Sequence, residues 1–113
     1  MANVRLTPQA INSAGIVPTN NGSLSVSDTY LVSNNGRVML HFLKTGAGAC
    51  TVTVTTPGTV DGLAVTDRTI TVPATTGDRM HSKFSPDVYN DENGDLAFTL
   101  SEITGLTVAV IQN

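Results

Sequence analysis

Two threonine-rich segments constrain the fold of this chain more than any other part of its sequence. Residues 50–56 read CTVTVTT and residues 68–73 read RTITVP, so polar and apolar side chains alternate along both. This period of two in β-branched residues is typical of a strand that buries one face. The similarity of the two segments predicts strands at facing positions rather than a duplicated unit. Their outer faces carry threonine instead of the usual lysine and glutamate, which favours a surface that another molecule covers.

The composition limits the size and the content of the core. A chain of 113 residues is predicted to form one domain, residues 1–113. Only 4% of the residues are aromatic and tryptophan is absent, so the core must consist mainly of aliphatic side chains. Charged residues make up 13%, well below the usual share in a soluble domain, and this favours association into an assembly. The few large core side chains are predicted to be Tyr30, Phe42, Phe84, Tyr89 and Phe98.

Turn residues at short intervals divide the chain into strands. Asn34-Asn35-Gly36 tolerates positive φ and indicates a hairpin. The whole pattern predicts an all-β domain, an antiparallel β-sandwich or jelly-roll-like barrel of about seven to nine short strands. Residues 1–7 are predicted to be an extended N-terminal arm, and a single helical turn is predicted over residues 7–12. The strands are expected near residues 28–33, 37–44, 49–55, 66–72, 79–84, 96–101 and 106–111.

The charges and the reactive side chains argue against several functions. The formal net charge is −3 and the six lysines and arginines are scattered along the sequence, so no nucleic-acid partner is predicted. No nucleophile, base and oxyanion donor can be assigned together, so the protein is predicted not to be an enzyme and to need no cofactor. Cys50, His41 and His81 are too few for a zinc site. No membrane span and no secretory leader are predicted, so we expect synthesis in the cytoplasm.

An acidic segment near residue 90 raises a calcium hypothesis. Asp91, Glu92 and Asp95 offer carboxylates within one short loop, and Ca²⁺ prefers several oxygen ligands. The order of residues does not match an EF-hand loop, because Asn93-Gly94-Asp95 comes in the wrong sequence. The main prediction is no metal site, with a solvated hairpin tip at this position and calcium as the alternative.

A longer pattern resembles a known group of proteins. Residues 48–78 read GACTVTVTTPGTVDGLAVTDRTITVPATTGD, and residues 84–91 read FSPDVYND. Together they resemble small β-proteins that are encoded among the structural genes of tailed bacteriophages, with the aromatic-Pro-x-x-Tyr-Asn element as the most specific part. The resemblance covers residues 30–113, including LTVAV at 106–110. This chain departs from the group at His81-Ser82-Lys83, where a more apolar, glycine-containing approach is expected.

The resemblance implies a virion structural protein. Its function would be that of a head decoration (cement) protein on the capsid surface, with the major capsid protein as partner. It also implies a homo-oligomer, taken as a trimer. The N-terminal arm is predicted to add a strand to a neighbour, the alternative being a frayed terminus. The predicted partner-binding residues are Ala2, Asn3, Val4, Arg5, Leu6, Thr53, Thr71, Pro86 and Tyr89.

Two other functions stay open from the sequence. A head–tail connector or tail component would form a ring at one vertex of the virion instead of covering the shell. A host-surface or carbohydrate-binding β-module would need an exposed aromatic platform, for which Tyr30 and Tyr89 are the candidates.

Overall fold

The computed structural model describes residues 3–112 and shows a β-sandwich of two sheets. The larger sheet has five strands in the order β1-β3-β10-β5-β8, and the smaller has four in the order β2-β11-β4-β9. Strands β6 and β7 form a separate two-stranded ribbon, and helix α1 lies between β9 and β10. The elements are β1 Asn3–Leu6, β2 Gln9–Ala10, β3 Thr29–Ser33, β4 Val38–Lys44, β5 Cys50–Val54, β6 Thr59–Val60, β7 Leu63–Ala64, β8 Arg68–Val72, β9 Gly77–His81, α1 Pro86–Tyr89, β10 Asp95–Leu100 and β11 Leu106–Gln112.

The all-β class and the sandwich are confirmed, but the purely antiparallel arrangement and the closed barrel are wrong. Strand β1 runs parallel to β3, and β2 runs parallel to β11. Parallel neighbours need a long connection, and residues 7–28 supply it between β1 and β3. Both sheets are therefore mixed, and each keeps two open edges.

The predicted helical turn at residues 7–12 is also wrong. Part of this segment forms β2, which pairs with β11, and Ile11 N–H continues the ladder to the Gln112 carbonyl oxygen at 2.9 Å. Pairing with a distant strand outweighs a weak local helix signal. The short helix α1 instead begins after Ser85, with Pro86 in its first turn. A proline at a helix start thus indicates a helix correctly here but not at residues 7–12.

The turn at Asn34-Asn35-Gly36 joins strands of different sheets. β3 pairs with β1 and β10, whereas β4 pairs with β11 and β9, so the predicted hairpin is wrong. The turn does use positive φ, at Gly36 (87°). Its course is set by Asn34, whose buried side chain binds the segment that follows β9.

The core lies between the two sheets and contains few aromatic rings. Phe98 stacks on Tyr30 with ring centroids 5.5 Å apart and meets Phe42 edge to face at 6.0 Å. Phe84 is buried as well, while Tyr89 is half-buried at the margin. Within residues 3–112, no helix has the length and hydropathy that a bilayer span requires.

Candidate functional site

The two threonine-rich strands lie side by side, as the sequence predicts. β5 and β8 are antiparallel, and the register places Thr51 opposite Thr71 and Thr53 opposite Thr69. Thr99 of β10 extends the row, because it lies opposite Thr53 on the other side of β5. The valines and the isoleucine between these threonines are buried in the core. We call the outward surface formed by Thr51, Thr53, Thr69, Thr71 and Thr99 the threonine face.

The same side of the sheet continues over β10, β3 and β1 with little charge. Ala97 lies opposite Leu31, and Leu31 lies opposite Arg5. The Arg5 guanidinium reaches across β3 to Asp95, with Nη1 2.9 Å from Oδ1 and Nη2 2.6 Å from Oδ2. This bidentate geometry neutralises both charges, so the outward positions of β5, β8 and β10 present no unpaired charge.

The threonine face has the chemistry of a docking surface. Each hydroxyl both donates and accepts hydrogen bonds, and each methyl group adds apolar area. The central parts of protein interfaces are depleted of charged residues, since ions are costly to remove from water. A hydrogen-bonded sheet is also rigid, so little conformational entropy is lost when a partner covers it.

The structure places the predicted arm within the chain's own sheet. Ala2 lies outside the described residues, and Asn3, Val4, Arg5 and Leu6 form β1 beside β3. Leu6 belongs to the buried core and Val4 packs against it, whereas Arg5 is on the side of the threonine face. Strand β1 is itself an edge strand, and addition to a neighbour stays a prediction.

Pro86 and Tyr89 are separate from the threonine face. The Tyr89 ring packs edge to face on Phe84 with centroids 5.6 Å apart. The carbonyl oxygen of Val88 accepts the Gly58 N–H at 3.0 Å, so α1 holds the long loop after β5. The aromatic-Pro-x-x-Tyr element therefore closes one end of the core. Tyr30 is only 1% exposed and presents no free ring to a sugar.

The acidic loop is organised by its own hydrogen bonds. The Asp91 Oδ1 atom accepts the N–H groups of Asn93 at 2.8 Å and Asp95 at 3.1 Å. The Asp95 carboxylate is occupied by Arg5, and Glu92 is exposed. Among residues 3–112, no group of three or more histidine, cysteine, aspartate or glutamate side chains is arranged to hold a metal ion.

The Arg5–Asp95 pair makes the stability of this side of the sheet depend on pH. The hydrogen bonds from Arg5 hold the pKa of the Asp95 carboxyl below its usual range, against the opposing effect of burial. A lowered folded-state pKa adds stability above the pKa of the unfolded chain, near 4, and this stability is lost as the pH falls through the folded-state pKa. We expect Asp95→Asn to unfold more easily than the parent at pH 7 and the difference to shrink below pH 4.

Thermal unfolding followed by circular dichroism between pH 2 and pH 7 measures this difference. Glu92→Gln is the control, because it removes one carboxylate from an exposed position of the same loop. A difference in Tm between Asp95→Asn and the parent that stays constant down to pH 2 would contradict a stabilising function of the ionised Asp95.

Comparison of the chain with protein-family models, curated proteins and solved structures finds no match. The alternation in the sequence predicts two of the residues on the threonine face, Thr53 and Thr71, but it gives no sign of the ion pair of Arg5 with Asp95. These partners are 90 positions apart, and no local pattern links them.

Proposed function

We propose that this protein is a virion structural protein, a decoration (cement) protein that binds the outer surface of a bacteriophage capsid. In this function it stabilises the contacts between major capsid protein subunits. The observation that carries the proposal is the threonine face, a rigid and uncharged surface on three neighbouring strands of the five-stranded sheet. The resemblance of residues 48–78 and 84–91 to phage structural proteins suggests the partner.

The dimensions of the sheet favour binding as an oligomer. The three strands of the threonine face, spaced about 4.8 Å apart and about five residues long, cover roughly 240 Å², which is about a third of what each partner contributes to a stable interface. A single copy would therefore bind weakly through this face alone. Linking copies in a homo-oligomer, for which we propose a trimer, multiplies the contact and raises the effective affinity.

Thr53→Lys and Thr71→Lys test the threonine face directly. Each places an ammonium group at the centre of the proposed contact, where it must lose its hydration. We expect the affinity for particles to fall at least about tenfold for each variant, which corresponds to a loss of about 1.4 kcal/mol. The measurement is quantitative gel analysis of the copies bound to purified particles across a range of protein concentrations.

Thr19→Lys is the matched control, since it makes the same change of charge at an exposed loop position that lies outside the threonine face. Circular dichroism of each free variant verifies that it folds. Normal incorporation of both Thr53→Lys and Thr71→Lys would show that the threonine face is only solvent-exposed. Copy number also separates the alternatives, because a connector or tail ring would have roughly six or twelve copies and a decoration protein hundreds.

A further inference from the structure

Folding brings together four cations that are scattered along the sequence. Arg37 and Lys83 line the same groove of about 340 Å³, beside Ser82. Arg68 Nη1 donates to the Ser82 carbonyl oxygen at 3.1 Å, and both Arg68 and Arg79 lie close enough to His81 to lower the pKa of its ring, after burial as the main cause. We call Arg37, Arg68, Arg79 and Lys83 the basic cluster.

The basic cluster has no internal counter-charge. Among residues 3–112, none of its four members forms an ion pair, whereas Arg5 binds Asp95 and Lys44 lies 4.0 Å from Glu102. The neighbouring carboxylate of Asp78 is held by His41 at 2.6 Å. The chain as a whole carries −3, so four positive charges here leave −7 for the rest of the molecule. The cluster is thus a local positive field on an acidic protein.

The groove is framed by an open strand edge. β9 pairs with β4 only as far as His81 opposite Leu40, and the chain then leaves the sheet. On that side, Val38 and Met39 have no strand partner in the part of the chain that the structure describes. Successive residues of a strand direct their backbone groups to opposite sides, so one of these two residues presents its N–H and C=O to this edge, where they can pair with an added extended segment.

Three further features lie beside the groove. Lys83 has φ 64°, in the left-handed region that a lysine rarely adopts, and it lies directly before the buried Phe84. The Nε2 atom of His81 is buried and has no hydrogen-bond partner among the described residues. Arg68 is held by stacking over the Phe84 ring, 4.7 Å from its centroid, and so fixes the wall of the groove.

We propose that this groove binds an extended acidic segment of a partner protein, with carboxylates on Arg37 and Lys83 and backbone hydrogen bonds to the open edge of β4. The strand edge favours a peptide over an inorganic anion, because only a peptide uses the free backbone groups. It also favours a peptide over nucleic acid, since the groove has no aromatic lining for bases and the remaining surface is negative. The proposal is independent of the capsid function, because the groove lies on the four-stranded sheet and the threonine face on the other.

Titration of the ¹⁵N-labelled protein with an acetylated, amidated Glu-Val-Glu-Val-Glu-Val peptide tests the proposal. We expect saturable shifts of the amide signals of residues 36–39 and 82–83, and no saturation with the uncharged Gln-Val-Gln-Val-Gln-Val peptide. Arg37→Gln and Lys83→Gln should each weaken binding roughly threefold to tenfold. Ser13→Glu is the matched control, because it also lowers the net charge by one at an exposed position that does not line the groove, and its affinity should stay within twofold.

Lys83→Gly separates binding from folding. Glycine adopts the observed φ without strain, so the Tm should stay within about 3 °C of the parent while peptide affinity falls as in Lys83→Gln. Equal binding of the glutamate and glutamine peptides would overturn the proposal. So would equal weakening by Arg37→Gln and Ser13→Glu, or tighter binding of inorganic phosphate or oligothymidylate than of the acidic peptide at the same amides.

Discussion

Replacing Phe98 by alanine is expected to lower the free energy of unfolding by about 3–5 kcal/mol, the largest effect of any single change considered for this protein. Phe98 is fully buried in β10, between β3 and β5, and it contacts the rings of Tyr30 and Phe42. Side chains around a truncated core residue move only partly into the space that it leaves. The truncation therefore loses both the transfer free energy of the ring and the packing around it.

Urea denaturation followed by circular dichroism measures this loss. Domains of this size are usually stable by about 5–15 kcal/mol, so Phe98→Ala should remain folded only marginally. Phe98→Leu keeps most of the volume and should cost clearly less. Thr99→Ala, one residue away on the outward side, should change the free energy of unfolding by no more than about 0.5 kcal/mol. A loss below about 1 kcal/mol for Phe98→Ala would contradict the described core.

Replacing Asn34 by alanine is expected to cost about 2–4 kcal/mol through polar groups rather than packing. Asn34 is 6% exposed, and its Nδ2 donates to the Phe84 carbonyl oxygen at 2.9 Å and to Asn90 Oδ1 at 2.7 Å. Its Oδ1 accepts the Gly36 N–H at 2.9 Å, and Asn90 Nδ2 donates back to the Asn34 carbonyl oxygen. Alanine removes the amide, so the Phe84 carbonyl oxygen, Asn90 Oδ1 and the Gly36 N–H each lose a hydrogen-bond partner in a poorly hydrated site.

Two further variants test this prediction. Asn34→Asp keeps the shape but directs a carboxylate at two oxygen acceptors, so at pH 7 it should destabilise the fold at least as much as alanine. Asn35→Ala is the control, because Asn35 is exposed and its side chain accepts the N–H of the nearby Arg37. Urea denaturation of all three variants provides the comparison. Equal stability of Asn34→Ala and Asn35→Ala would contradict the stabilising function of the buried Asn34 hydrogen bonds.

Much of the strand pattern could be predicted because it depends on side chains within a few residues of each other. The alternation at residues 50–56 and 68–73 predicts β5 and β8 and which side chains face outward, and the structure confirms both. The prediction at 79–84 fits β9 less well, since it starts two residues late and ends three residues late. The shift follows from Lys83, whose positive φ ends the extended backbone before Phe84.

The predicted partner-binding residues divide between two places in the structure. The period of two predicts that Thr53 and Thr71 face outward, and they share a face. Pro86 and Tyr89, which the resemblance groups with them, lie at the end of the core. Distance along the chain carries no information on which faces of a sandwich meet, because that depends on the order of strands in each sheet.

The sequence by itself determined that the chain folds as β-strands with a nearly uncharged face, because a period of two is a local property. Only the tertiary structure decided that β1 and β2 run parallel to later strands, that Arg5 neutralises Asp95, and that four scattered cations form the basic cluster. These contacts join residues far apart in the chain, and they form only when two sheets pack on one core. The threonine face thus follows from the pattern of neighbouring residues, whereas the groove of Arg37 and Lys83 forms only when distant residues pack together.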